Sequence, residues 1–160
     1  MKTDSMEAVH LDYENEEAVK QAQQIGASAW LALAGGMANE LNATNALSHL
    51  TDLQVRDFAL GVIGTATPNI QALLSAFIDY SISDKNPDID APLHALRAYA
   101  YLCEGNTDKA DLELKACFSL NSDYSLARLF ERAMGAGWET DFYPKMAQEL
   151  HPKVSDKIFG

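Results

Sequence analysis

Two cysteines in 160 residues, Cys103 and Cys117, form no Cys-x-x-Cys pair, so a dithiol redox motif and a cysteine-based zinc site are both unsupported. Both fall at small or apolar helical positions and read as buried free thiols. No apolar run approaches the ~20 residues of a membrane span. The four histidines, His10, His49, His94 and His151, make neither His-x-x-x-His nor His-Glu-x-x-His, and no metal site is expected. Gly-x-Ser-x-Gly is missing, and Gly61-Val-Ile-Gly64 lacks the Lys-Ser/Thr of a phosphate loop. Glu16 and Glu17 are neighbours that point apart on a helix. No catalytic residue and no cofactor is expected.

Basic residues are also scarce: 12 Lys and Arg against 23 Asp and Glu, a net charge of −11. Such a balance repels nucleic-acid phosphates and anionic lipid, so neither nucleic acid nor membrane is an expected partner. Solubility is the plain account of the charge; an acidic DNA mimic or inhibitor is the sharper alternative. Asp4, Glu7, Asp12 and Glu14 make the N-terminus the opposite of a secretory leader, and a cytoplasmic protein is expected.

What is present is helical periodicity. The length suggests one domain, large enough to fold without a metal or disulfide staple. Residues 1–14 read as a loose acidic arm, 15–151 as a single helical domain and 152–160 as a tail. Ala18, Ala22, Ile25 and Ala29, with Trp30 and Leu33, make a first helix that Gly35-Gly36 stops, and a short helix follows around 39–50. Val55, Phe58, Ala59, Val62 and Ile63 share a face, with Asp52 or Thr51 as cap and Gly64 as the close. Pro68 opens the next helix, whose stripe is Ile70, Leu73, Leu74, Phe77 and Ile78; the short link predicts an antiparallel hairpin.

Ser83–Asp90 reads as a solvated turn with Asp90 as a cap. Its acids miss the calcium-loop register, because Ile89 and Ala95 stand where Gly and the bidentate Glu belong. The segment 91–104 is apolar on several sides and should be sandwiched. Thr107–Leu120 follows Gly105-Asn106. A further helix carries Leu126, Leu129, Phe130, Ala133 and Met134 behind a cap at Ser122 or Asp123. The last runs to Leu150, where His151-Pro152 should end it. No strand is expected. The fold class is all-α, with antiparallel hairpins packed as a small bundle or a short right-handed solenoid.

Gly105, Ala110, Leu114 and Cys117 keep the spacing of the second half of a tetratricopeptide unit, with Ala98 and Tyr101 at the small and aromatic positions of the first. Ser122 stands where that repeat usually has Pro, and His94 where it often has Trp. One imperfect unit and a partial one fall within residues 91–137. In that register Ala95, Tyr99 and Leu102 line the concave side, unless they are simply core. Arg128 and Arg132, four apart on one face, could hold a partner's carboxylate, unless they are only solvated.

Residues 52–143 also resemble a mainly actinobacterial domain-of-unknown-function family numbered 4192. The resemblance rests on Val55-Arg56-Asp57, Ala91-Pro92-Leu93, Ala98-Tyr99-Ala100, Gly105 with Ala110, and Asp123 to Leu129. It implies a helical core and no activity, with one helical stretch expected in place of the strand-bearing N-terminal region of that family. The expected function is a non-enzymatic protein–protein interaction module with an unidentified protein partner. The alternative is a small-ligand protein or enzyme with His94, Tyr99, Tyr101 and Cys103 around a pocket between helices. A homodimer is expected if the first helix projects from the body.

Overall fold

The computed structural model describes residues 3–160, and among these every regular element is a helix, with no strand. The eight helices are α1 (Glu16–Ala34), α2 (Glu40–Ser48), α3 (Leu53–Thr65), α4 (Pro68–Ser81), α5 (Pro87–Cys103), α6 (Thr107–Leu120), α7 (Ser125–Gly135) and α8 (Phe142–Phe159). Asn15, Asn39, Asp52 and Asn106 cap α1, α2, α3 and α6, each side chain accepting a bond from a backbone N–H of the first turn. No side chain caps α7, whose N-cap is Tyr124 rather than Ser122 or Asp123.

α5 pairs most closely with α6, α3 with α8, and α1 with α2; α3 meets α5, and α4 and α7 close the sides. The last helix therefore returns to the third. A solenoid confines contacts to neighbouring units, so the arrangement is a bundle. The link between α3 and α4 is short, yet α4 divides its contacts among α1, α3 and α5 instead of lying along α3. α1, α5 and α8 already pack against α3.

α3 and α5 form the interior. Val55, Ala59 and Ile63 are fully buried, as are Leu93, Leu96 and Leu102. Leu114 and Cys117 of α6 lie against this core, and Gly105 turns the hairpin at φ +81°, a value that favours glycine. Gly64 does not end α3. It lies inside the helix, where a Cβ would stand 2.3 Å from Ala147 Cβ and 2.4 Å from Tyr99 Oη. Its missing side chain is what lets α5 and α8 reach α3.

Three further expectations are corrected. The 152–160 tail is helix: α8 continues through Pro152, and Ile158 is fully buried. Proline inside a helix costs about 3 kcal/mol. The far turn is held from outside, by Lys20 Nζ donating to Gly160 O at 2.8 Å, Gln24 Nε2 donating to Ile158 O at 3.0 Å, and Phe159 meeting Phe58 edge to face. These bonds also satisfy carbonyls that a helix end leaves orphaned.

The described part of the 1–14 arm is not loose, and its residues 1–2 lie outside the described residues. Thr3 is fully buried, its N–H donating to Ser81 O at 3.0 Å and its hydroxyl to Asp90 Oδ1 at 2.5 Å. Further along, Val9 N–H donates to Ser48 O at 2.8 Å, and Thr51 donates its hydroxyl back to Val9 O. Finally, the turn before α5 is not merely solvated. α5 begins at Pro87, and Asp90 lies in its first turn with no exposed surface. Its carboxylate accepts from Thr3, the Ser83 hydroxyl at 3.1 Å and Asn86 N–H at 3.1 Å.

Adding a methyl at Gly64 should destabilise the fold. Helix propensity alone favours Ala by about 1 kcal/mol, but overpacking at this depth costs ~1–3 kcal/mol or more. Gly64→Ala is expected to lower the urea midpoint, and an unchanged or higher midpoint would show that α3 has room. Leu114→Ala, which removes a side chain 2% exposed, should cost ~2–5 kcal/mol in the same measurement.

Candidate functional site

The residues placed on the concave side of the repeat do not form a surface. Ala95, Tyr99 and Leu102 have no exposed area. Tyr99 stacks on Phe130 with ring centroids 5.5 Å apart and donates its hydroxyl to Tyr143 O at 2.5 Å. The face that a solenoid would leave concave is covered here, because α7 and α8 fold back onto α5.

Arg128 is spent locally. Its Nε and Nη2 donate to Ser122 O at 3.1 and 2.7 Å, Nη1 meets Glu131 at 2.9 Å, and Cζ stands 4.1 Å from the Phe118 ring centroid. It closes the turn ahead of α7, which no side chain caps. Arg132 is exposed in the last turn of α7 and shares none of these partners.

Nor do His94, Tyr99, Tyr101 and Cys103 surround a common pocket. Burial pushes the Cys103 thiol up to about 11 and Cys117 to about 12, so neither is a thiolate near neutral pH. His94 stands between two carboxylates: Nδ1 donates to Glu113 Oε2 and Nε2 to Asp84 Oδ1, both at 2.7 Å. Asp84 reaches it from a left-handed backbone at φ +60°, a conformation Asp tolerates better than most residues. Arg97 extends the cluster, pairing with Glu113 at 3.1 Å and Asp79 at 3.0 Å and donating to Tyr101 Oη at 2.5 Å. The cluster ties the α4–α5 turn to α6.

α1 does not project. Trp30 is fully buried and donates Nε1–H to Ala46 O at 3.0 Å. Only one side of the helix stays open, with Ile25 and Leu31 each 48% exposed.

The arrangement best suited to binding lies elsewhere, between α7 and α8 above the outer face of α3. This cleft holds about 330 Å³ and is lined by Leu60, Leu126, Leu129, Met146, Leu150 and Val154, with Arg56, Asp57, His151, Lys153 and Lys157 among its polar groups. It exists because α8 seats on α3 through Gly61 and Gly64 while α7 stands off: a Cβ at Gly61 would lie 2.1 Å from His151 Nδ1.

Two polar atoms of its lining are buried without partners, Arg56 Nη1 and His151 Nδ1. Arg56 is only 7% exposed. Its Nε and Nη2 donate to Asp57 Oδ1 at 3.1 and 2.9 Å, and Tyr124 stands beside the guanidinium, 5.7 Å from Cζ to ring centroid. Burial opposes the Arg56 charge, but Tyr124 and Asp57 outweigh it and raise the pKa further. Burial alone lowers that of His151, which is neutral at pH 7. Lys153 and Lys157 are exposed one turn apart on α8.

Sequence reasoning missed this site. Val55-Arg56-Asp57 carried a resemblance, not a role, and an arginine beside an aspartate on an apolar helix face was the available signal. Gly61 and Gly64, three apart inside a helix, were the signal for the close approach. No protein-family model, curated protein or solved structure matches this chain. Among the described residues no helix is long and apolar enough to cross a membrane, and no group of His, Cys, Asp or Glu is placed to hold a metal ion.

The His94 cluster makes a pH prediction. Burial lowers the His94 pKa, but the bonds to Glu113 and Asp84 outweigh it, and the net shift is upward from 6.5. A folded-state pKa above the unfolded value means the contribution is complete below pH 6.5 and is lost as pH rises through the folded pKa. Stability measured by denaturant from pH 6 upward should fall across that window in the wild type and be flatter in His94→Gln. An identical slope in both would remove the imidazolium from the account.

Proposed function

We propose that the protein is a non-enzymatic binding module whose site is the α3–α7–α8 cleft. The observation that carries this reading is the lining of the cleft, in which Leu60, Leu126, Leu129, Met146, Leu150 and Val154 are joined by a few polar side chains. The volume falls at the low end of small-molecule sites, which are apolar with a few placed polar groups. Leu129 and Leu150 stand at its mouth, 40% and 45% exposed. The hairpin carrying the tetratricopeptide-like spacing serves as the scaffold behind the site, with α5 and α6 supporting α7.

The walls of the cleft are mostly apolar, with Arg56, Asp57, His151, Lys153 and Lys157 as its charged or titratable groups, and the reading is one of binding without turnover. A protein partner reaching the same cleft with an apolar side chain is the second form of this reading, and the resemblance of residues 52–143 to a family without assigned activity is compatible with either.

A neutral apolar dye tests the site directly. Nile red should bind one per chain with a rise in fluorescence. Leu129→Asp and Leu150→Asp should each weaken it about tenfold, the scale of one lost leucine contact. Ile25→Asp, on the open side of α1, should leave binding unchanged. Dye that binds all variants alike, or not at all, would remove the cleft as a site.

A further inference from the structure

We infer that pH controls the cleft between α3, α7 and α8 through a latch at His151-Pro152: the last turns of α8 sit on α3 while the imidazole is neutral and come away, releasing an apolar ligand, when the ring takes a second proton. The inference rests on the binding reading above and adds the regulation of that site.

His151 is the wedge. Its Nδ1 is buried without a partner and lies 2.1 Å from where a Cβ on Gly61 would stand, while the ring rests on Phe58 with centroids 4.8 Å apart. A charged imidazole carries N–H at both nitrogens. In this seat one of them would be a cationic donor buried without an acceptor, a costly state that neutrality or movement relieves. The neighbouring charges do not lower that cost. α3 brings Arg56 and Asp57, paired with each other at 2.9 Å, α8 brings Lys153 and Lys157, and α7 brings Leu126 and Leu129. Asp156 of α8 is exposed and outside the lining, and Lys20 of α1 reaches Gly160 O at the far end of the helix. Asp57 is thus taken by Arg56, and the other charges of the lining are cations.

Pro152 is the hinge. It has no N–H, so Gln148 O loses its helical bond at this point. Beyond it, α8 depends on side chains: Ile158 is fully buried, Gln24 Nε2 donates to Ile158 O at 3.0 Å, and Phe159 meets Phe58. Phe58 therefore supports both the imidazole and the end of the helix, and unseating the one loosens the other. Lys153, Val154 and Lys157 line the cleft from beyond the hinge, so movement there removes part of its wall. Burial also holds the His151 pKa below 6.5. The ring binds a proton more readily unseated, so its contribution to the seat is complete above pH 6.5 and is lost as pH falls from there toward the seated value. This is opposite in sign to the contribution of His94.

Hydrogen exchange of the full chain between pH 7.5 and 5, corrected for the intrinsic pH dependence of exchange, tests the latch. Residues 153–160 should lose protection several-fold toward pH 5 while α5 keeps its own, which marks a local opening rather than global unfolding. Nile red should bind several-fold more weakly over the same range. His151→Leu should hold both readings level. Because that change lies in the interior, Pro152→Ala provides a second variant. It restores the backbone N–H, and the pH step in 153–160 should shrink with His151 intact. Protection of 153–160 that follows α5 at every pH, or a step that persists in His151→Leu, overturns the latch. Nile red affinity that stays level while protection falls overturns its control of the cleft. If Nile red binds at no pH, the cleft reading falls, and exchange still decides whether His151 and Pro152 form a latch.

Discussion

The close approach of three helices at Gly61 and Gly64 is the constraint on which the rest depends. α3 is buried along most of its length, and α8 and α5 come in against its backbone where side chains are missing, at Gly61 and Gly64. Tyr99 Oη and Ala147 fill the space over Gly64, and His151 fills the space over Gly61. Interiors are packed to crystal density, so these positions leave no slack. From this seam follow the return of α8 to the third helix, the burial of Tyr99 and the covering of the face that a repeat array would have left open. The cleft is a consequence of the same seam, since α8 is drawn onto α3 where the glycines allow it and α7 is held by α5 and α6.

Two buried carboxylates fasten the outer segments to this interior. Asp90 gathers Thr3, Ser83 and Asn86. Asp52 caps α3 through Val55 N–H at 3.0 Å and also accepts the Tyr13 hydroxyl at 2.8 Å and Gln23 Nε2 at 3.2 Å. Both are less than 4% exposed. A buried charge is costly unless hydrogen bonds surround it, and here the surrounding donors come from segments distant in sequence. The N-terminal segment is thereby ordered by hydrogen bonds at Thr3, Val9 and Tyr13, with Met6 and Ala8 packed against the core.

Charge is distributed unevenly around these features. The His94 cluster sets three acids, Asp84, Glu113 and Asp79, against His94 and Arg97. In the cleft the excess is of the other sign, with Asp57 alone among Arg56, Lys153 and Lys157.

The sequence alone determined the all-helical class, the boundaries set by Gly35-Gly36, Pro68 and Gly105, and a cap at Asp52 or Thr51. These are local matters, decided by residues within one or two turns, where periodicity and backbone preference are read directly. Only the tertiary structure decided that Ala95, Tyr99 and Leu102 are core, that α8 runs through Pro152, that the N-terminal segment is bound, and that Arg56 is buried beside a cleft. Hydrophobic burial is not directional, so an apolar stripe states that it will be covered without stating by what. Pro152 illustrates the point: its local penalty is real, and contacts from α1 and Phe58, more than ninety residues away, outweigh it.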